Sequence, residues 1–205
     1  MTFEEFLDWA DEDILAEWAN GEVVMTSPAS RRHQDTAKFL LTTLSAFVDM
    51  HDLGTVMGAP FVMRLPTSGR KPDVLYIARA HEDRVWETLL AGPADLIIEI
   101  VSPESIERDR VRKFAEYQAG GVAEYWLLDP GEEQADFYQL GRRGRYRRVP
   151  ADRNGVYHSR AVPGFWLRVP WLWRRPLPDP TSVLPRIDRD AYARYLQEKL
   201  RQAGL

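Results

Sequence analysis

Apolar positions along the chain change period several times, and those changes outline the elements. Residues 2–13 place Phe3, Phe6, Leu7 and Ala10 on one helical face, with Thr2 and Glu5 at capping-box spacing. Two short alternating runs then flank Asn20-Gly21, a dipeptide that tolerates positive φ and so predicts a tight hairpin. On its second strand Glu22, Val24 and Thr26 share a face opposite Val23 and Met25. Ser27 and Ser30 are both candidate caps for a helix running to about Met50. Ala37, Leu40, Leu41, Leu44, Phe47 and Val48 recur there at 3.6-residue spacing, with His33 on the same inward stripe near the start.

The middle of the chain reads as sheet. GTVMGAPFVMRLP at 54–66 predicts a strand pair or one bent strand, TSGR at 67–70 a loop, and KPDVLYIA at 71–78 a buried strand opened by Pro72. Residues 81–92 predict a weak helix or an ordered loop. In ADLIIEIVSP, Leu96, Ile98 and Ile100 point one way while Ile97, Glu99 and Val101 point the other. Both faces are apolar, as in a central strand covered on both sides. A helix over 105–119, closed by Gly120-Gly121, leads to the apolar strand AEYWLLD. A helical crossover between two such strands predicts that they run parallel. Beyond it come a hairpin turning near Gly141–Gly144, short strands over 155–169, the Pro-rich connector PLPDPTSVLP and a closing helix at 188–203. Trp166, Trp171 and Trp173 flank the connector as core or as a dimer seam. The fold class is α/β, with a mixed sheet flanked by helices, peripheral β-hairpins and a C-terminal helix. Residues 1–174 are expected to form one domain, with 175–205 packed on it as connector and helix.

Composition narrows the function classes. With 44% hydrophobic and 28% charged residues, the 205-residue chain has an ordinary globular make-up. No stretch reaches the roughly 18 unbroken apolar residues of a membrane span, and the acidic N-terminus is unlike a secretory signal, so a cytoplasmic location is expected. Cysteine is absent, which leaves oxygen and imidazole as the metal donors. The net charge of −4 argues against a surface coated for nucleic acid, yet GRRGRYRR at 141–148 concentrates five arginines. Arg142, Arg143 and Arg145 at its turn are candidate phosphate contacts. Only four lysines occur, Lys38, Lys71, Lys113 and Lys199.

Two acids stand where acids are costly. Glu99 lies among Ile97, Ile98, Ile100 and Val101, and Asp73 precedes Val74-Leu75. An ionised carboxylate in such surroundings needs a cation beside it. One divalent ion shared by both relieves both penalties, and hard oxygen ligands suit Mg²⁺ or Mn²⁺. Lys113, at the edge of the following helix's apolar arc, can run its stem toward the carboxylates, with Asp109 one turn earlier to orient it. There it would stabilise developing phosphoryl charge.

These residues carry a resemblance. Pro72-Asp73, IIEIVSP at 97–103, RDRVRKFAEY at 108–117 and GVAEYWLLDP at 121–130 resemble the Uma-two family of the PD-(D/E)XK nuclease superfamily, as does NGEVVMTSPASRRHQ at 20–34. The likeness covers roughly residues 14–140. It implies a restriction-endonuclease-like fold and Mg²⁺-dependent phosphodiester cleavage. Asp73, Glu99 and the Ile100 carbonyl are the implied metal ligands, and Glu22 and His33 border the site. The superfamily's acid-x-lysine triplet is broken, because Val101 stands two residues after Glu99. The resemblance assigns the lysine's part to Lys113 from the next helix.

Each residue also has a plainer reading. Asp73 can be a turn residue at a strand start, Glu99 the partner of an arginine such as Arg108, and Lys113 a solvated helix residue. His33 can be a core or cap histidine and Glu22 a surface position. The nuclease reading, with DNA as substrate and a homodimer as the working form, stands against a catalytically inactive nuclease-fold module that binds nucleic acid or a protein. Nothing in the sequence separates DNA from RNA.

Overall fold

The computed structural model describes residues 1–10, 14–25, 29–101 and 108–204, with the side chains of 108–110 outside the description. Its centre is a six-stranded mixed sheet of β3 (Gly54–Gly58), β6 (Val74–Ala78), β8 (Leu96–Ile100), β9 (Glu124–Asp129), β10 (Gln134–Leu140) and β11 (Tyr146–Arg148). The spatial order is β11-β10-β9-β8-β6-β3. The pair β8–β9 is parallel, as the crossover requires, and the other pairs are antiparallel. A second sheet of five short strands has the order β2-β1-β5-β4-β7. It comprises β1 (Ala16–Ala19), β2 (Glu22–Met25), β4 (Val62–Leu65), β5 (Ser68–Arg70) and β7 (Leu89–Ala91). A small hairpin pairs β12 (Val156–His158) with β13 (Trp166–Arg168).

Alternation along β8 decides how the layers stack. Leu96, Ile98 and Ile100 join Leu40, Leu44, Phe47 and Val48 of α2 (Arg31–His51) in one core. Ile97 and Val101 join Met63, Leu65, Leu75, Tyr117 and Tyr125 in a second core between the two sheets. Phe3 and Phe6 of α1 (Phe3–Trp9) cover the outer face of the smaller sheet. Each fully buried aliphatic side chain contributes about 1.5–3 kcal/mol, so β8, packed on both faces, anchors the molecule. Glu99 lies on the inter-sheet side, with Ile97 and Val101.

Local signals explain the boundaries. Thr2 and Glu5 form the reciprocal capping box expected of them. Asn20 and Gly21 take φ of 50° and 86°, the geometry of a type I′ turn. Ser30 caps α2 by accepting from the His33 amide at 3.2 Å, while Ser27 and Pro28 fall outside the described residues. Gly121, at φ 87°, ends α3 (Phe114–Gly120) in the left-handed conformation.

Three segments differ from the sequence pattern. The run 54–66 divides between the two sheets, with β3 in the larger and β4 in the smaller. Residues 67–70 are not a loop: Ser68–Arg70 is a buried strand pairing with both β1 and β4. Three residues show no periodicity, and backbone pairing to two neighbours holds them instead. The Pro-rich connector contains a helix, α4 (Pro180–Ile187), capped by Asp179 and followed by α5 (Arg189–Gln202). The tryptophans near it are core: Trp171 is 2% exposed, and Trp166 and Trp173 pack on the same cluster as α2. Among the described residues no helix is long and apolar enough to cross a membrane.

Gly54 shows how tightly β3 meets the chain beside it. At φ 139°, a Cβ there would overlap the Ile77 carbonyl oxygen and crowd the Arg79 amide. Gly54→Ala is expected to cost about 1–3 kcal/mol, read as a lower urea midpoint at unchanged slope.

Candidate active site

Register brings the two acids together. Val74 pairs with Ile98 across β6 and β8, so Asp73, just before β6, and Glu99, near the end of β8, lie at the same end of this strand pair. Asp73 Oδ2 accepts from the Ile100 amide at 2.7 Å and lies 3.2 Å from His33 Nε2. The cap at Ser30 thus starts α2 where its first turn places His33 against the β6 entrance.

Glu99 is held from the other side. Lys113 Nζ donates to Glu99 Oε1 at 2.9 Å, and the Tyr117 hydroxyl donates to the same oxygen at 2.5 Å. Lys113 and Tyr117 are four residues apart, so both reach down from one helical face. Residues 108–113 form a wider π-helical stretch before α3. Lys113 is 4% exposed, which excludes the solvated reading. Burial pushes the Tyr117 hydroxyl well above its ordinary pKa, reinforced by the charges of Glu99 and Glu17, so it stays protonated and donates.

A second layer comes from residues the pattern did not single out. Glu17 on β1, 3% exposed, lies 3.4 Å from Lys113 Nζ through Oε1 and accepts from the Lys71 amide at 3.0 Å. Its Oε2 accepts from Arg70 Nη1 at 3.1 Å. Arg70, 1% exposed on β5, also donates to Glu116 through Nε at 2.8 Å and Nη2 at 2.7 Å. Burial works to lower the Arg70 pKa, but the hydrogen bonds to Glu116 and the charges of Glu17 and Glu116 outweigh it and hold the guanidinium protonated. The result is one continuous chain of alternating charge, Glu116–Arg70–Glu17–Lys113–Glu99. One signal for Glu17 was available: an acid inside the short apolar strand AEWA, as anomalous as Glu99 in its own strand.

Glu22 and the hairpin arginines lie apart from this chain. Glu22 is exposed on β2, and no described hydrogen bond or ion pair links it to the cluster. The side chain of Asp109, expected to orient Lys113, lies outside the description; among the described residues Glu17 and Glu99 contact the lysine. Arg142, Arg143 and Arg145 are exposed at the β10–β11 turn.

The donor set can be tested for a metal. Among the described residues no three His, Asp or Glu side chains form a metal-binding group. Two carboxylates at one end of the β6–β8 pair, with no cysteine in the chain, leave further ligands to backbone and water oxygen or to imidazole. That set fits Mg²⁺, which keeps several waters and takes only one or two carboxylates, better than it fits zinc.

Residues 3–170 match the Uma2 family, described as "Putative restriction endonuclease". The chain belongs to that family. Among solved structures, a "putative nuclease belonging to DUF820" from Anabaena variabilis superimposes with a TM-score of 0.72. It shares 16% identity and the match covers 84% of this chain and 97% of that one, a likeness of fold. No curated protein matches the chain. Membership sets the Glu99–Lys113 contact in a nuclease family, and the Uma2 fold is the mixed sheet with helices described above.

Proposed function

We propose that this Uma2 protein is a metal-dependent endonuclease that hydrolyses phosphodiester bonds in DNA. The observation that carries the reading is the buried Lys113 ammonium 2.9 Å from Glu99, a strand carboxylate one residue before the Ile100 amide that donates to Asp73. Asp73, Glu99 and the Ile100 carbonyl would hold Mg²⁺ or Mn²⁺. Such an ion polarises a phosphoryl oxygen and lowers the pKa of water at its site. The protein's own groups supply the rest. His33 and the Ile100 amide fix one Asp73 oxygen, and Tyr117 fixes Glu99. Lys113 takes the place of the lysine missing at Val101, where it orients the attacking water and stabilises charge growing on the phosphoryl group. Cutting both strands of a duplex needs two such centres, so the reading includes a homodimer.

A second reading, a non-catalytic nucleic-acid-binding descendant of the fold, draws on the same network. Lys113 already neutralises Glu99, so the carboxylates have a structural reason to be there. Calorimetric titration with Mn²⁺, with and without oligonucleotide, separates the two. The wild type is expected to bind, and Asp73→Asn and Glu99→Gln to weaken binding by about tenfold or more, the scale on which metal sites lose affinity when support is removed. Absence of binding in the wild type at millimolar metal, under both conditions, would favour the structural reading.

A further inference from the structure

Beside the acidic centre, α2 and the segment before α4 enclose a cleft of about 960 Å³. Its walls carry five cations, Arg31, Arg32, Lys38, Arg174 and Arg175, against the carboxylates of Asp35 and Asp179. Both acids are engaged locally: Asp35 pairs with Arg31 at 3.6 Å, and Asp179 caps α4 by accepting from Thr181. The cleft therefore presents positive charge on a chain whose net charge is −4. Its floor is apolar, with Phe39 and Leu172 buried and Leu177 half-buried. One cation is conspicuous. The Arg32 Nη2 nitrogen is buried and has no hydrogen-bond partner among the described residues. A guanidinium nitrogen in that state lacks an acceptor that a phosphate oxygen would supply.

From these features we infer that the cleft binds a single-stranded segment of the nucleic-acid substrate, its phosphates on the arginines and a base on the apolar floor. The inference rests on the nuclease reading for its direction, because His33, next to Arg32 on α2, contacts Asp73. Volume and chemistry select the ligand. Clefts of about 300–1,000 Å³ hold ligands of nucleotide size, which suits a short stretch of one strand. Arginine forks match phosphate oxygens in pairs, and an apolar surface beside them accepts a base face without reading its sequence. Helix α4 packs on α2, and the segment before it lies past the family match at residue 170. That segment supplies Arg174 and Arg175 as the second wall.

The test is fluorescence anisotropy of a labelled oligothymidylate in EDTA, so that binding is read without cleavage. The double variant Arg174→Gln/Arg175→Gln changes two exposed residues outside the acidic centre. It is expected to weaken binding about tenfold or more at low salt and to lower the salt slope by about two. Arg153→Gln/Arg168→Gln, two exposed residues outside the cleft lining, serves as the comparison and is expected to leave single-strand binding within about twofold. Equal losses in the two double variants, unchanged binding in the first, or wild-type affinity no greater for the strand than for thymidine monophosphate would each overturn the proposal. The result is separable from catalysis. Strand binding that depends on Arg174 and Arg175 in a protein with no cleavage leaves the cleft standing and removes the nuclease reading. Cleavage with binding indifferent to the cleft does the reverse.

Discussion

Arg70→Met is expected to lower stability by about 3–5 kcal/mol, the cost of removing one partner from a buried ion pair. The arginine makes three hydrogen bonds to two carboxylates, and all three residues are largely withdrawn from water. Methionine fills similar volume but leaves Glu116 without its bidentate partner and takes one cationic partner from Glu17. For a domain of this size each kcal/mol lowers the melting temperature by about 2–4 °C, so the loss reads as roughly 6–20 °C by calorimetry. Arg70→Lys keeps the charge but not the fork, and is expected to recover only part of the loss. A methionine variant melting within about 2 °C of the wild type would show that the alternating-charge chain adds no net stability. The effect is structural and needs no metal, so it can be read whatever the protein cleaves.

That network marks where sequence legibility ended. Strand β8 could be read because its residues obey a two-residue period with apolar side chains on both faces, which isolates Glu99 as the exception. Asp73 could be read as an acid at the entrance of the apolar run 74–78, but its place beside β8 follows from a β6–β8 pairing that leaves no local period. Lys113 was half legible: counting 3.6 residues per turn puts it at the edge of the apolar arc, but the π-helical stretch at 108–113 has a longer period. The lysine accordingly turns further inward than the count implies. Arg70 was illegible for a different reason. In TSGR no residue is apolar, and the strand exists because β1 and β4 pair with it and because Glu17 and Glu116 arrive from elsewhere in the chain. Long-range charge pairing leaves no local period. The same holds for the cleft, whose two cationic walls are separated by more than 130 residues in the sequence.

Lys113→Met is expected to lower cleavage at least about 100-fold while leaving Mn²⁺ binding intact, the loss typical of removing one preorganised charge-stabilising donor. The Lys113 ammonium contacts Glu99 and Glu17 in a buried setting, so methionine leaves both carboxylates short of one counter-charge. Removing a cation next to Glu99 also removes a competitor for the metal, and affinity is therefore expected to hold or rise. This separates Lys113 from Asp73, whose substitution by asparagine should lose metal and cleavage together. Loss of fold is the obvious confusion, and a second substitution removes it. Adding Glu17→Gln takes away one of the stranded charges and should restore part of the stability. Arg70 would then lose one of its two carboxylate partners, so the recovery is incomplete. Cleavage should stay low in the double variant if the lysine acts on the phosphoryl group, and should return with stability if the lysine is only a structural counter-ion. Single-turnover assays on duplex DNA in Mn²⁺, paired with circular dichroism melts of the same samples, decide between the two roles.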